Sequence, residues 1–517
     1  MKQAVIKKIF DTLIYISFIL VLVFACRQKV SVNIDEVYSY GLANHYGSKS
    51  IQIEDGFKYV PSEEVYYNYV TVFDEHRFDY INVWNNQVQD VHPPLYYCIL
   101  HTICSLRPRT FSMWYGFFIN IGFAIGVLLV IRKIVDLYTK GYFVKSLISL
   151  SFIAMTGIYN AVMFIRMYVM AMFFVTLFIY WVFKFIKDKD NFREVSQYII
   201  LLLISVGGIL THYYCMVFFG LFTFVYAICL LSGKRIRDAL FFCVTMAVSV
   251  LLSLIIFPGM YSHFFLSGRG TESFEHFAYN EKFVAQLSVV ANLINKHIFG
   301  GLFPILIFIA LLGLIVALVK KKIEIKAGTD LIVTVVPSLM YFVLISRIAP
   351  YGTDRYYFPI YGVLFVIFIL SVSRAIKVLT KGTAFKVILA AILVVVSVNG
   401  WLVNEWSYSE KYTEDAIKFA REHSDLDCVF LYERRTRTHP AFFEVKNYNS
   451  VTFANCRKEI PDISTMRPDG DFVFIVPNTE RQEEILDLAY KDGYICEYVG
   501  TSGYSNTFWC QKQKKEY

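Results

Sequence analysis

Eleven apolar runs of about membrane-crossing length recur along this 517-residue chain. They cover roughly Ile9–Cys26, Phe111–Ile131, Phe143–Phe164, Met167–Phe185, Ser196–His212, Tyr213–Leu231, Ala239–Phe257, Ile298–Val319, Leu331–Ile345, Tyr357–Val372 and Ala384–Val403. A helix needs about 20 apolar residues to cross the hydrocarbon core. Inside that core every backbone N–H and C=O must be satisfied within the protein. Runs of this length therefore lead to a mainly α, polytopic membrane helix bundle. Composition agrees: 56% of residues are hydrophobic and only 18% charged, against about 25% charged in an ordinary soluble domain. The net charge of +8 sits in short clusters between the runs, as orientation signals do, and does not form a nucleic-acid-binding face. Lys7-Lys8, an apolar stretch and Ala25-Cys26 have the outline of a signal peptide, and Val23-Phe24-Ala25-Cys26 faintly resembles a lipoprotein cleavage site. With no A-x-A-like site and ten further runs, an uncleaved first span is the better reading.

The positive-inside rule gives an orientation. With the N-terminus cytoplasmic, the inner loops carry Lys7 and Lys8, Arg132 and Lys133, Lys184 through Arg193, Lys234-Arg235-Ile236-Arg237, Lys320-Lys321-Lys322, and Arg374 through Lys386. The outer turns carry only Arg166, Arg269, Lys282, Lys296, Arg347 and Arg355. The odd span count then places the C-terminus outside the cytoplasm. The split between the fifth and sixth spans falls near Thr211-His212. Pro93–Leu106 spans only about 20 Å as a helix, too short to cross, so it is expected to lie at the outer interface. It closes a long first outer loop, residues 28–110.

Composition divides the chain into a membrane module, residues 1–403, and a small extracytoplasmic α/β domain, residues 404–517. In the latter, Thr413–His423 and Glu480–Lys491 have helical periodicity, Cys428–Tyr432 and Asp471–Val476 read as strands, and Tyr494–Val499 with Asn506–Gln511 as a hairpin. Cys496 and Cys510 would face each other across that hairpin, either as a disulfide or as free thiols. There is no internal repeat, no Walker A loop, no CxxC pair and no GxSxG, which argues against an ATP-driven transporter subunit.

Asp35-Glu36 lies about nine residues past the first run, just outside the membrane. Four other groups fall at the same surface: His92 before Pro93-Pro94-Leu95-Tyr96-Tyr97, Arg166-Met167-Tyr168, Thr211-His212-Tyr213-Tyr214, and Asp354-Arg355-Tyr356-Tyr357. Each has a plainer reading. Asp35-Glu36 also suits a helix cap, interfacial tyrosines commonly anchor a span, and Arg166 or Arg355 suits headgroup snorkelling. Together they suit transfer of a sugar from a polyprenyl phosphate. A carboxylate can take the proton from an acceptor hydroxyl. The leaving lipid phosphate requires positive charge on its oxygens, which arginine supplies by bidentate hydrogen bonding. One base dedicated to the acceptor suggests inversion at the anomeric carbon.

At these residues the chain resembles the GT-C class of integral-membrane glycosyltransferases, above all bacterial relatives of protein O-mannosyltransferases and lipid A aminoarabinose transferases. Asp35-Glu36 is similar to the first-loop acidic motif, His92-Pro93-Pro94-Leu95-Tyr96-Tyr97 to the motif that closes that loop, and Arg166-Met167-Tyr168 to an R-x-Y turn. Thr211-His212-Tyr213 and Arg355-Tyr356 match weaker motifs. The resemblance covers about residues 1–400 and leaves the C-terminal domain outside. It implies a GT-C-like fold and a polyprenyl-phosphate monosaccharide donor, with an extracytoplasmic lipid, glycan or protein as acceptor. Asp35 and Glu36 become the catalytic candidates. Arg355, Tyr356 and Arg166 become the donor-phosphate candidates, and His92, Tyr168, His212 and Tyr213 the substrate contacts. Some members hold a divalent metal in the first-loop site, for which Glu36, His92 and His212 are the available ligands here, although Phe164-Ile165 stands where Gln-Glu often precedes the R-x-Y turn, so a second acidic residue is missing.

Two other classes fit the bundle. A transporter or flippase of lipid-linked sugars predicts related halves, broken helices and charges deep within spans. A non-catalytic scaffold predicts that function resides wholly beyond Asn404.

Overall fold

The computed structural model describes residues 2–47, 50–187, 194–319 and 328–513. The basic stretches 188–193 and 320–327, used above for orientation, lie outside them. The first run forms α1 (Lys2–Arg27). The loop after it folds into α2 (Ile34–Asn44), α3 (Glu64–Val70), α4 (Tyr80–Gln89) and α5 (Leu95–Ser105). α2 starts at a capping box. The Asn33 side chain accepts from the Asp35 amide at 3.1 Å, and the Glu36 carboxylate accepts from the Asn33 amide at 2.6 Å, so both orphan donors of the first turn are used. α5 has 11 residues, about 16 Å, in keeping with a helix that does not cross.

The remaining helices are α6 (Met113–Asp136), α7 (Tyr142–Ile153), α8 (Thr156–Met163), α9 (Tyr168–Lys187), α10 (Val195–Ile209), α11 (Tyr213–Ser232), α12 (Ile236–Ile256), α13 (Gly259–Phe265), α14 (Gly268–Ala278), α15 (Phe283–Phe299), α16 (Phe303–Val319), α17 (Thr329–Ile348), α18 (Phe358–Leu379) and α19 (Gly382–Leu402). Among the described residues, eight helices are long and apolar enough to cross a membrane. The count is ten if the bent pairs α7–α8 (49°) and α15–α16 (74°) are each one span. The 15-residue α10 completes the correspondence with the eleven runs.

α9 is the buried centre, packed on α6, α10 and α18. Gly362 on α18 lies against Thr176 on α9, where a Cβ would collide with the threonine hydroxyl. Small residues let membrane helices approach this closely, and close packing is what holds them together once lipid removes the hydrophobic drive.

The C-terminal domain holds a six-stranded sheet. Its strands are β1 (Lys58–Tyr59), β2 (Asp427–Tyr432), β3 (Ser450–Asn455), β4 (Phe472–Pro477), β5 (Tyr494–Ser502) and β6 (Ser505–Lys512), in the order β1-β3-β2-β4-β6-β5. β2 runs parallel to β3 and β4, and β5–β6 is the expected hairpin, closed by a Cys496–Cys510 disulfide. The helices Glu414–Glu422 and Gln482–Lys491 also stand where expected.

Two features go beyond the sequence reading. β3 was not foreseen, and β1 comes from the first loop, with Lys58 opposite Thr452 and Tyr59 opposite Val451. Loop and domain are locked further by hydrogen bonds from Ser62 Oγ to the Tyr448 carbonyl (2.6 Å) and from Tyr66 OH to the Thr438 carbonyl (2.8 Å), and by the stack of Tyr66 on Phe442. The domain thus packs on α3, through Tyr66, and on α2, the helix that carries Asp35.

Candidate functional site

The capping box places Asp35 and Glu36 in the first turn of α2, and the two carboxylates go to different surroundings. Neighbouring residues on a helix do not share a face. Glu36 is fully enclosed. Its Oε2 pairs with Lys29 Nζ at 2.9 Å, and its Oε1 accepts from the Ile165 amide at 2.7 Å. Lys29 Nζ also donates to the Tyr408 carbonyl at 2.7 Å. Glu36 therefore ties α2, the turn before α9 and the segment entering the C-terminal domain into one block. The Asp35 side chain is 28% exposed and its Oδ2 accepts directly from Arg355 Nη1.

Arg166 stands in the turn between α8 and α9. Asn120 on α6 fixes that turn by donating to the carbonyls of Val162 (3.0 Å) and Phe164 (2.9 Å). Arg166 Nη1 donates to the Asp35 carbonyl at 3.0 Å and to Ser39 Oγ at 3.3 Å, and its Nη2 lies 3.2 Å from His92 Nε2. Arginine has only donors, so this contact assigns Nε2 as the acceptor and Nδ1–H as the donor to Asp90 Oδ2, 2.6 Å away. Asp90, His92 and Arg166 thus form a chain that ends on the backbone of Asp35. The loop bearing His92 is held in turn by the Leu95 amide, which donates to the Leu210 carbonyl at 3.1 Å.

Arg355 lies in the short turn between α17 and α18, and its guanidinium stacks over the Tyr356 ring. Burial raises the Asp35 carboxyl, but Arg355, then Arg166 and His92, outweigh it and hold the group below its usual value. Burial likewise opposes ionisation of Asp90, yet His92 and Arg166 bring it to about 2. Arg166 loses stability as a cation on burial and regains more from Tyr97 and Asp35, so it stays charged. Both Arg166 Nε and Arg355 Nε are buried with no hydrogen-bond partner among the described residues. Two guanidinium groups with donors to spare, beside one carboxylate, suit an anion with several acceptor oxygens.

The other candidates stand at differing distances from this pair. Tyr168 and His212 flank it, their rings 5.2 Å apart, with His92 and His212 rings 6.1 Å apart. His212 Nδ1 accepts from the Tyr214 amide at 3.0 Å, so that nitrogen carries no proton. Tyr356 hydrogen-bonds Arg355 through its hydroxyl (3.2 Å). Tyr213 is engaged with His263 Nδ1 at 2.7 Å, and so braces the wall of the site.

Sequence reasoning gave no role to three residues. Asp90 anchors the His92–Arg166 chain. Tyr38, one turn beyond Asp35, has its phenol pushed up to about 12 by burial and by Asp90 and Asp35, and packs against His439 of the C-terminal domain. His297 on α15 lies 3.3 Å from Asp354, whose other oxygen accepts from Tyr408. Asp90 and Tyr38 were detectable as polar groups two and three residues from residues already singled out.

No group of three His, Cys, Asp or Glu side chains among the described residues is placed to hold a metal ion. Glu36 is spent on Lys29 and two backbone amides, and His92 on Asp90 and Arg166. The donor set does not fit a metal.

No family model and no curated protein matches this chain. Among solved structures it is similar to ArnT from Cupriavidus metallidurans bound to undecaprenyl phosphate, with a TM-score of 0.53 at 10% identity, covering 97% of each chain. For ArnT from the same organism in the apo state the TM-score is 0.51 at 10% identity, with 98% of each chain covered. The expectation that the likeness stops near residue 400 is corrected, because the coverage runs through the C-terminal domain as well. The chain has the ArnT fold over nearly its whole length.

Proposed function

We propose that this chain is a glycosyltransferase that moves a monosaccharide from a polyprenyl-phosphate donor to an extracytoplasmic acceptor. The carrying observation is the Asp35–Arg355 pair, with Arg166 beside it and the Nε atoms of both arginines unpartnered. Asp35 is the general base. It takes the proton as the acceptor hydroxyl oxygen attacks the anomeric carbon. The bond from that carbon to the phosphate oxygen breaks, its electron pair leaves with the lipid phosphate, and Arg355 and Arg166 stabilise the charge. One displacement inverts the anomeric centre. Glu36 acts by fixing the turn that carries Asp35. Tyr356, Tyr168, His92 and His212 border the sugar and phosphate, and Tyr213 braces that border.

ArnT, whose fold this is, was solved with undecaprenyl phosphate, which supports the same class of donor here. An apolar cavity of about 330 Å³ between α15, α16, α17 and α18 offers a course for the prenyl chain, lined by Phe299, Phe303, Phe342, Ile360, Leu364 and Phe368. Phe342 packs on Tyr357, two residues from Arg355. The orientation that suits this chemistry has the N-terminus cytoplasmic and the C-terminal domain outside. The Cys496–Cys510 disulfide accords with an oxidising compartment for that domain.

The test is mass spectrometry of envelope lipids, glycans and proteins from cells with and without the chain, paired with release of polyprenyl phosphate by the purified protein. One missing sugar together with lipid-phosphate release is expected. An unchanged envelope with no release refutes the reading.

A further inference from the structure

α13 and α14 lie in a segment pinned between two spans, α12 ending at Ile256 and α15 beginning at Phe283, and turn large apolar side chains away from the protein. On α14, Arg269, Glu272 and His276 share one face, while Phe274 lies on the opposite one and Phe277 flanks it. Arg347, at the end of α17, caps α14 by donating to the carbonyls of Phe277 (3.0 Å) and Ala278 (2.9 Å). The apolar face is left open: Phe274 is 59% exposed and Phe277 60%. At the end of α13, Phe265 is 61% and the following Leu266 74% exposed, and Leu251 and Ile255 of the preceding span α12 also face outward. A water-facing helix places its polar side outward. Here large apolar side chains stand outward beside the exposed Arg269 and Glu275, the mixed surface of a helix lying at an interface, next to spans whose outer faces lipid must cover.

We infer that α13–α14 is an interfacial hairpin seated in the headgroup and upper acyl region of the bilayer leaflet, with Phe265, Leu266, Phe274 and Phe277 inserted. The occupant is the lipid surface itself. The chain enters and leaves the hairpin from membrane spans, so its depth is set by them. The inner side of the hairpin is joined to the site: His263 bonds Tyr213 at 2.7 Å and lies 3.3 Å from the Val88 carbonyl. Seating the hairpin in lipid holds that wall of the site at headgroup level, where a lipid-linked phosphate resides. The inference stands on exposure and chain continuity and does not depend on the reaction assigned above.

The test uses the full chain in nanodiscs made with acyl-brominated or unbrominated phosphatidylcholine. Tryptophan is added by Phe274→Trp, by Phe265→Trp, or, on the polar edge, by Glu275→Trp. For a face inserted about 5–10 Å, bromine quenches the emission added at 274 and 265 at least about twofold more than that at 275. Equal quenching at all three positions overturns the inference. All three side chains are exposed, and the two aromatic positions report independently should one variant fold poorly.

Discussion

Replacing Asp35 with asparagine separates catalysis from donor binding. Asp35 occupies Arg355 directly and is 28% exposed, while Arg355 is 19% exposed. A lipid phosphate that needs Arg355 must share it with that carboxylate and approach a like charge. For unit charges 4 Å apart the repulsion is about 1 kcal/mol in bulk water and about 4 kcal/mol at an effective dielectric of 20. Asp35 is open enough to water that the lower end governs, on the order of 1–2 kcal/mol, or roughly five- to thirtyfold in affinity. Asparagine keeps the shape and an acceptor oxygen for Arg355 but carries no charge and accepts no proton. Asp35→Asn should therefore bind undecaprenyl phosphate roughly five- to thirtyfold more tightly while transfer falls about 10²–10⁴-fold, the usual contribution of a general base. Binding is read by fluorescence titration in nanodiscs and transfer by release of polyprenyl phosphate under single-turnover conditions. Loss of both binding and transfer would make Asp35 a structural residue. Transfer at the normal rate would remove it from the mechanism.

Arg355→Lys keeps the charge and loses the fork, so donor affinity should drop about tenfold or more while the protein remains folded, as measured by the same titration and by thermal unfolding. Asp90 has a depressed folded value, 3.8 falling to about 2. Its contribution is present above the unfolded value and is lost as pH drops through about 2. Asp90→Asn should cost on the order of 2 kcal/mol at neutral pH, and should flatten the pH dependence of unfolding between 3.8 and about 2; an unchanged acid-unfolding profile would contradict the Asp90–His92–Arg166 chain. The acid limb of kcat should lie at higher pH than that of kcat/KM, because the donor changes the surroundings of Asp35; coincident limbs would refute that coupling.

Much of the site was legible because charge is scarce in this chain. Asp35, His92, Arg166 and Arg355 stood out between apolar runs, and the structure brings all four into one hydrogen-bonded cluster. Glu36 illustrates a limit of adjacency. Read beside Asp35 it looked equally catalytic, but about 100° of helical rotation points its carboxylate inward to Lys29. Asp90 and Tyr38 stand close to residues singled out, yet one more acid in an acidic loop carries no pattern of its own and interfacial tyrosines are common, so neither position marks a role by itself. α13 and α14 have no continuous apolar run, so hydropathy passes over them. β1 is two residues long and exists only through its partner β3. That pairing is a long-range event that local periodicity cannot encode, and it is why a compositional boundary near residue 404 divides what the fold joins.

The pairing of Asp35 with Arg355 carries a consequence for when the base is strong. Without donor, two carboxylates, Asp35 and Asp90, face two guanidinium groups, Arg166 and Arg355, while Glu36 is neutralised separately by Lys29. The cluster is balanced, and its cations hold the Asp35 carboxyl below the usual value. A carboxylate so restrained is a poor proton acceptor. A donor phosphate brings negative charge and draws Arg355 toward its own oxygens. Burial, the largest influence on Asp35 and the one that raises it, then acts with less opposition, and the added anion raises the group further. In the proposed reaction, Asp35 thus becomes a competent base when the sugar is in place and is restrained when it is not. On that proposal the two arginines assigned to the leaving phosphate also time the base, so donor binding and proton abstraction would be linked through one shared guanidinium.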